Sequence, residues 1–279
     1  MLRRLLEAVG QQRVETGLTF SIVVVDNDET RSAEAVAVDF ARTTSIPVSY
    51  HCETRRNIAF ARNLTIAHAS GDFIAFIDDD EFPVRDWLSL LFKTCQGQKV
   101  AGVLGPVRPH FDQPPPAWIL QGRFCERPEY PTGTVMSWKE CRTGNVLFRK
   151  NILPSDAPPF SPQFGNGGED VDFFMRMSAL GHVFVWCNEA IAYETVPCSR
   201  WKRSYMLKRA LLRGRNSLKV SQGRIVRVIK SLVAVPLYSI ILPFMLLLGQ
   251  HRFMHYSIRL CDHLGRLLAI ARINPVNER

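Results

Sequence analysis

The apolar positions of this chain fall into short runs, and the spacing within each run predicts its element. Leu2, Leu5, Leu6 and Val9 recur at helical intervals and predict a helix over residues 1–12. Ser21-Ile22-Val23-Val24-Val25 reads as a strand, with Asp26-Asn27-Asp28 at its carboxyl end. A helix over 31–42, a short strand over 48–51 and a helix over 55–69 follow, the last carrying Asn57, Arg62 and Asn63. Phe73 to Ile77 is apolar with little alternation, which predicts a strand buried on both faces, and it runs straight into Asp78-Asp79-Asp80-Glu81. Further on, the pattern predicts a helix over 86–94, strands over 100–106 and 143–149, and short strands over 183–186 and 191–193. Gly167-Gly168 forms a turn into a helix with Glu169, Asp170 and Asp172 in its first turn, where the helix dipole favours ionised carboxylates. Such alternation of strands and helices predicts an α/β fold with a mostly parallel central sheet.

Two stretches break this rhythm. Residues 108–134 are rich in Pro and Gly and contain Trp118 and Tyr130, and a loop of this length in a compact domain is usually a lid or an acceptor-binding loop. Residues 231–249 carry no charge over 19 positions, just enough to cross a bilayer as a helix, with Pro236 and Pro243 inside. Arginine and lysine flank this run on both sides, which fits a single span poorly and suits a re-entrant or monotopic insertion with both ends cytoplasmic.

Charge sharpens the division. The whole chain carries +9, but residues 1–199 sum to −5 and residues 200–279 to +14. Residues 200–215 alternate cations with Trp201, Tyr205, Leu207 and Leu211, as a basic amphipathic helix at an anionic surface does. No nucleic-acid-binding module accompanies the charge, so a membrane surface is the expected partner and nucleic acid is not. The seven cysteines are scattered without a Cys-x-x-Cys pair, which predicts reduced thiols and neither zinc nor disulfides. No apolar core followed by a small-residue cleavage site opens the chain, so no signal peptide is expected.

The acidic end of the 73–77 strand holds the chemistry. Adjacent carboxylates repel, so Asp78, Asp79 and Asp80 suggest a hard divalent cation, Mg²⁺ or Mn²⁺, with a solvated acidic turn as the plain alternative. Open α/β sheets place ligands at this carboxyl edge.

Four pieces in order, Asp26-Asn27-Asp28, Asn57-x4-Arg62-Asn63, Gly71-Asp72 with Asp78-Asp79-Asp80, and Gly167-Gly168-Glu169-Asp170, resemble the family 2 glycosyltransferases over residues 1 to about 215. Asp86-Trp87-Leu88 and Thr143-Gly144-Asn145-Val146-Leu147 narrow the resemblance to bacterial succinoglycan-type exopolysaccharide glucosyltransferases. The resemblance implies a GT-A fold, Rossmann-like, over residues 1–220, followed by membrane-associating helices over 221–279. It implies that Asp26, Asn57 and Arg62 bind the nucleotide of a UDP-sugar, that Asp78 and Asp80 hold the metal as a DXD motif, and that Asp79 lies beside the ribose or sugar. Asp170 would be the general base, with Glu169 positioning the acceptor or the helix turn, and Trp118, Gly144 and Asn145 are candidates for the acceptor site. It further implies inverting transfer of a hexose, glucose first, to a polyprenyl diphosphate-linked oligosaccharide at the cytoplasmic face of a bacterial inner membrane.

Two departures accompany the resemblance. The apolar strand and Pro-Thr-Tyr-like turn with which the family opens are not in this sequence, so the true start is expected upstream or the chain is a fragment. Where many relatives place a metal-binding histidine, this chain has Tyr193-Glu194, and His182 reads as structural. A catalytically idle nucleotide-sugar-binding protein and a sugar-phosphate nucleotidyltransferase are the rival readings. The latter class needs a Gly-rich N-terminal phosphate loop, and none is visible.

Overall fold

The computed structural model describes residues 1–164, 167–218 and 224–273. Along the chain the elements are α1 (Leu2–Gly10), β1 (Ile22–Asp26), α2 (Glu34–Thr43), β2 (Val48–Cys52), α3 (Ile58–His68), β3 (Phe73–Phe76), β4 (Glu81–Pro83) and α4 (Trp87–Gly97). Then come β5 (Gly102–Leu104), β6 (Val107–His110), α5 (Ala117–Gln121), β7 (Val146–Arg149), α6 (Glu169–Ala179), β8 (Phe184–Trp186) and β9 (Ala192–Thr195). Three long helices, α7 (Arg203–Asn216), α8 (Arg224–Leu247) and α9 (Gln250–Ile270), complete it. Two compact units result: Met1–His110 with Arg127–Thr195, and Phe111–Glu126 with Val196–Arg279.

The first unit is α/β, as expected, but its strands form three sheets, β1-β2, β3-β7-β5-β8 and β4-β9-β6, and the two larger ones are mixed, not mostly parallel. Parallel pairings join β1 to β2, β5 to β8 and β6 to β9, while β3–β7, β5–β7 and β4–β9 are antiparallel. The reason is β7, which returns from a long connection and inserts between β3 and β5 in the opposite direction, giving the order β3-β7-β5-β8. Strand β3 is therefore an edge: Ile74 and Phe76 pack on one cluster and Phe73 and Ala75 on the other, but only Ile74 is fully buried, so the burial expected on both faces is partial.

Strand alternation builds the core on both sides of this sheet. Leu147, Val103 and Val185 face a cluster with Trp87, Leu91 and Cys95 of α4. Their neighbours Phe148, Leu104, Phe184 and Trp186 face the other way, toward Phe160, Phe173 and Phe174. Helix α6 rests on that second cluster, which brings its N-terminus to the sheet edge.

The second unit explains why the expected boundary at 220, which itself lies outside the described residues, is not where the chain divides. Helix α7 packs closely on α9: a Cβ on Gly214 would lie 2.1 Å from the Asp262 carbonyl oxygen, and one on Gly265 would lie 2.1 Å from that of Leu211. Arg213 donates to both Asp262 carboxylate oxygens, at 2.9 and 2.6 Å. The segment from 111 to 126, expected to be loop, includes α5 and belongs to this unit. Helix α8 runs through Pro236 and Pro243 and exposes its apolar side chains, among them Val233 at 64% and Leu247 at 85%. By length and composition α8 can cross a membrane, with a mean hydropathy of 2.0 over its most apolar window.

Candidate active site

The turn after β3 is shaped by its own acids. The Glu81 backbone N–H donates to the Asp78 carbonyl at 3.0 Å, and the Asp78 N–H points at Glu81 Oε2 at 3.4 Å. Glu81 thus begins β4 as a buried residue, 2% exposed, and not as part of a solvated turn. Its Oε1 is buried and has no hydrogen-bond partner among the described residues. A Cβ built on Gly144 would lie 2.8 Å from this oxygen and 3.0 Å from Asp78 Oδ2, so the two carboxylates converge on the one residue whose lack of a side chain leaves them space. Burial, reinforced by the Asp78 charge, pushes the Glu81 carboxyl up to about 8. Burial also raises Asp78, against the opposing pull of Arg62 and with the help of Asp80. The Asp78 side chain lies low in the protein yet keeps 49% of its surface open, as a group facing a recess does.

Arg62 on α3 joins this turn to α6. Its Nη2 lies 3.8 Å from Asp78 Oδ1, and its Nη1 bonds Glu169 Oε1. Glu169 is turned inward, 3% exposed, with its carboxyl raised by burial. Its geometry supports holding Arg62 and the helix turn, and leaves it no surface for an acceptor. Asp170 follows, with Oδ1 accepting the Val171 N–H at 2.8 Å and Oδ2 lying 4.0 Å from Arg142 Nε. The turn before α6 needs glycine, because Gly167 and Gly168 adopt φ of 111° and 104°. Asn57 caps α3 by accepting the Ala59 N–H at 2.9 Å and donates to the Pro162 carbonyl at 2.9 Å. Asn63 bonds the Phe160 backbone in both directions, at 2.7 and 2.9 Å. Both asparagines therefore fasten the segment that leads to this turn.

Other sequence-predicted residues are placed differently. Asp26 is buried, its Oδ1 accepting the Asp28 N–H at 3.1 Å and its Oδ2 accepting the Ala33 N–H at 2.8 Å and the Tyr50 hydroxyl at 3.1 Å. Both carboxylate oxygens thus help to shape the loop that follows β1. Asn145, an acceptor-site candidate, is fully buried: it accepts from Trp87 Nε1 at 2.7 Å and donates to the Pro106 and Ala190 carbonyls at 2.8 Å each. It is a structural residue, and Gly144 beside it is the one that faces the acids. Trp118 lies in the second unit, against Phe124 and beneath the Arg203 guanidinium. Asp79 is exposed, and the Asp80 carbonyl accepts the Thr195 N–H at 2.8 Å.

Sequence reasoning missed the parts played by Glu81 and Arg142. Only Glu81 left a signal, as the fourth acid of its run.

Among the described residues no three His, Cys, Asp or Glu side chains gather as a complete metal cluster. Two facing carboxylates still fit a hard divalent ion, which takes one or two protein carboxylates and completes its shell with phosphate oxygens and water. The unpartnered Glu81 oxygen and the space at Gly144 are what such an ion would use.

A family model described as glycosyl transferase family 2 matches residues 1–154. The chain is 34% identical over 218 residues to the succinoglycan biosynthesis protein ExoM of Rhizobium meliloti, covering 76% of this chain and 69% of that one. Its fold is similar to S. aureus TarS 1–349 crystallised with UDP, at a TM-score of 0.54 and 15% identity, over 97% of this chain and 87% of that one. It is also similar to GalNAc-T7 crystallised with UDP, GalNAc and Mn²⁺, at 0.50 and 12%, over 74% and 44%.

Proposed function

Because this chain belongs to glycosyl transferase family 2, we propose that it moves a hexose, glucose first, from a UDP-sugar to a lipid-linked oligosaccharide with inversion at the anomeric carbon, in exopolysaccharide synthesis. One observation carries this reading: Arg62 ties the acidic turn at the end of β3 to the N-terminus of α6, where Asp170 stands. A donor's diphosphate and a base for the acceptor need that adjacency.

Asp170 is the general base. It takes the proton of the acceptor hydroxyl as that oxygen attacks the anomeric carbon and the bond to the diphosphate breaks. Arg142 stands at its edge, with Nε 4.0 Å from Asp170 Oδ2. Arg62, 12% exposed, keeps a fixed positive charge behind Asp78, so the site is not wholly anionic when the diphosphate enters. Asp78 and Asp80, with Glu81 behind them, would hold Mg²⁺ or Mn²⁺, which would supply positive charge for the departing diphosphate. Asp79 is open to the donor, and Asn57 acts through the cap of α3.

The lipid-linked acceptor is supported by the second unit. An exposed apolar helix beside cationic helices suits a bilayer with anionic headgroups, and a polyprenyl diphosphate acceptor would be held in that bilayer. The cytoplasmic face of the inner membrane follows from where nucleotide sugars are made.

The test is calorimetric UDP binding with and without Mn²⁺, paired with donor turnover. Asp170→Asn is expected to keep metal-dependent UDP binding and lose transfer. Full turnover in Asp170→Asn would remove the assigned base, and a folded chain that ignores UDP would remove the reading altogether.

A further inference from the structure

A cavity of about 320 Å³ opens beside Gly144, at the lower end of the ~300–1,000 Å³ range of small-molecule sites. Tyr130 and Trp186 wall one side, edge to face with ring centres 5.3 Å apart. Arg127, Lys139 and Arg142 bring three cations to the lining, against one carboxylate, Glu140.

Those charges are unevenly compensated. Glu140 accepts the Tyr130 hydroxyl at 2.7 Å, and Arg127 pairs with Glu194. Arg142 spends one nitrogen on the carbonyls of Lys139 and Cys141, and its carboxylate contact, Asp170, is a loose one at 4.0 Å. The Lys139 ammonium lies 5.3 Å from the Trp138 ring centre and has no carboxylate partner among the described residues. Donors thus outnumber acceptors around an aromatic wall.

A neutral sugar offers hydroxyls that both give and take hydrogen bonds, and this lining offers it few acceptors. A carboxylate offers only acceptors, and a guanidinium with an adjacent ammonium is its natural counterpart. The aromatic wall suits the C–H face of a pyranose ring.

We propose that this cavity is the acceptor subsite and that it selects a saccharide bearing a carboxylate, of the uronic-acid type, through Lys139 and Arg142. The inference rests on the transferase reading above. Arg142 touches both this cavity and Asp170, so a sugar anchored there by its acid presents its hydroxyls to the base.

The experiment titrates methyl β-glucuronide and methyl β-glucoside into the 279-residue chain in detergent, with UDP and Mn²⁺ present, and reads saturation-transfer NMR. These probes differ only by a carboxylate in place of a hydroxymethyl group. The glucuronide is expected to bind about tenfold more tightly, as one charge-assisted hydrogen-bonded pair allows. In Lys139→Gln/Arg142→Gln that advantage falls to the glucoside level, and in Lys139→Gln alone it is reduced. Both side chains are exposed, so the variants keep the fold. Equal affinities, or a preference that survives the double substitution, overturn the inference while UDP binding in the same sample leaves the transferase reading intact. Inorganic pyrophosphate run alongside tests the other anion available: if it displaces the glucuronide and its own binding is lost in the double variant, these cations serve the donor's diphosphate and the inference falls. Loss of UDP binding in the unmodified chain would instead overturn the transferase reading and this one with it.

Discussion

The carboxylates of Asp78 and Glu81 meet at the backbone of Gly144, each within about 3 Å of where a β-carbon there would stand. Two acids this close, one of them buried, call for a proton or a cation between them.

Gly144→Ala tests that space. Its backbone is not left-handed, so alanine imposes no torsional strain, and the new methyl presses on both oxygens. Mn²⁺-dependent UDP affinity is expected to fall at least about tenfold, equivalent to ~1.4 kcal/mol, with an unchanged circular dichroism spectrum. Calorimetry showing wild-type affinity would mean that nothing binds between the acids.

Arg62→Leu strands Glu169 in the interior. Removing one partner of a buried ion pair costs on the order of 3 kcal/mol, and urea unfolding is expected to show a loss of that size. Arg62→Leu/Glu169→Leu should recover most of it, because no uncompensated charge remains. Donor binding should stay weak in both variants.

Asn145→Ala removes the partners of the Trp87 indole and of two carbonyls, and places alanine at a φ of 53°. Each stranded buried group costs roughly 1–3 kcal/mol, so the melting temperature should drop by many degrees. A melting curve close to wild type would contradict the burial assigned to this side chain.

His51 stacks on His68 with ring centres 3.5 Å apart, and its Nε2 is buried without a partner. Burial, with the His68 charge adding to it, holds the His51 imidazole below its ordinary value of 6.5. The unfolded chain then takes up this proton first as pH falls, so stability is complete above about 6.5 and declines below it. Melting temperatures at pH 7.5 and 5.5 should diverge more in wild type than in His51→Phe. Equal slopes would dissociate the pair from the pH response.

Much of this was legible from spacing. The continuous apolar runs of β1 and β7 and the helical period in α1 announce their elements, because apolar side chains must be buried. Asp78 stood out because an acidic run at the end of an apolar strand is conspicuous, while Arg62 and Asp170 were singled out by the family resemblance. What escaped depended on contacts distant in sequence. Glu81 reads as one more acid of a polar turn until β9 pairs with it and buries it. Asn145 looks like a loop asparagine in reach of ligand, yet three partners from α4 and two other segments enclose it. Direction was hidden as well: nothing local in Val146 to Arg149 says that the strand runs against both neighbours. Trp118 sits in a Pro-rich stretch whose affiliation with the C-terminal helices no periodicity records.

The alternation of Leu147 and Phe148 between two clusters has a consequence for chemistry. Phe76 pairs with Val146, only two residues before Asp78 on one side and two after Gly144 on the other. A one-residue slip of β7 would exchange the two side chains between clusters and carry Gly144 about 3.3 Å along the strand, away from the acids. Greasy side chains far from any substrate therefore act as the ruler that measures out the gap between two carboxylates, and an insertion in β7 would strike packing and catalysis together.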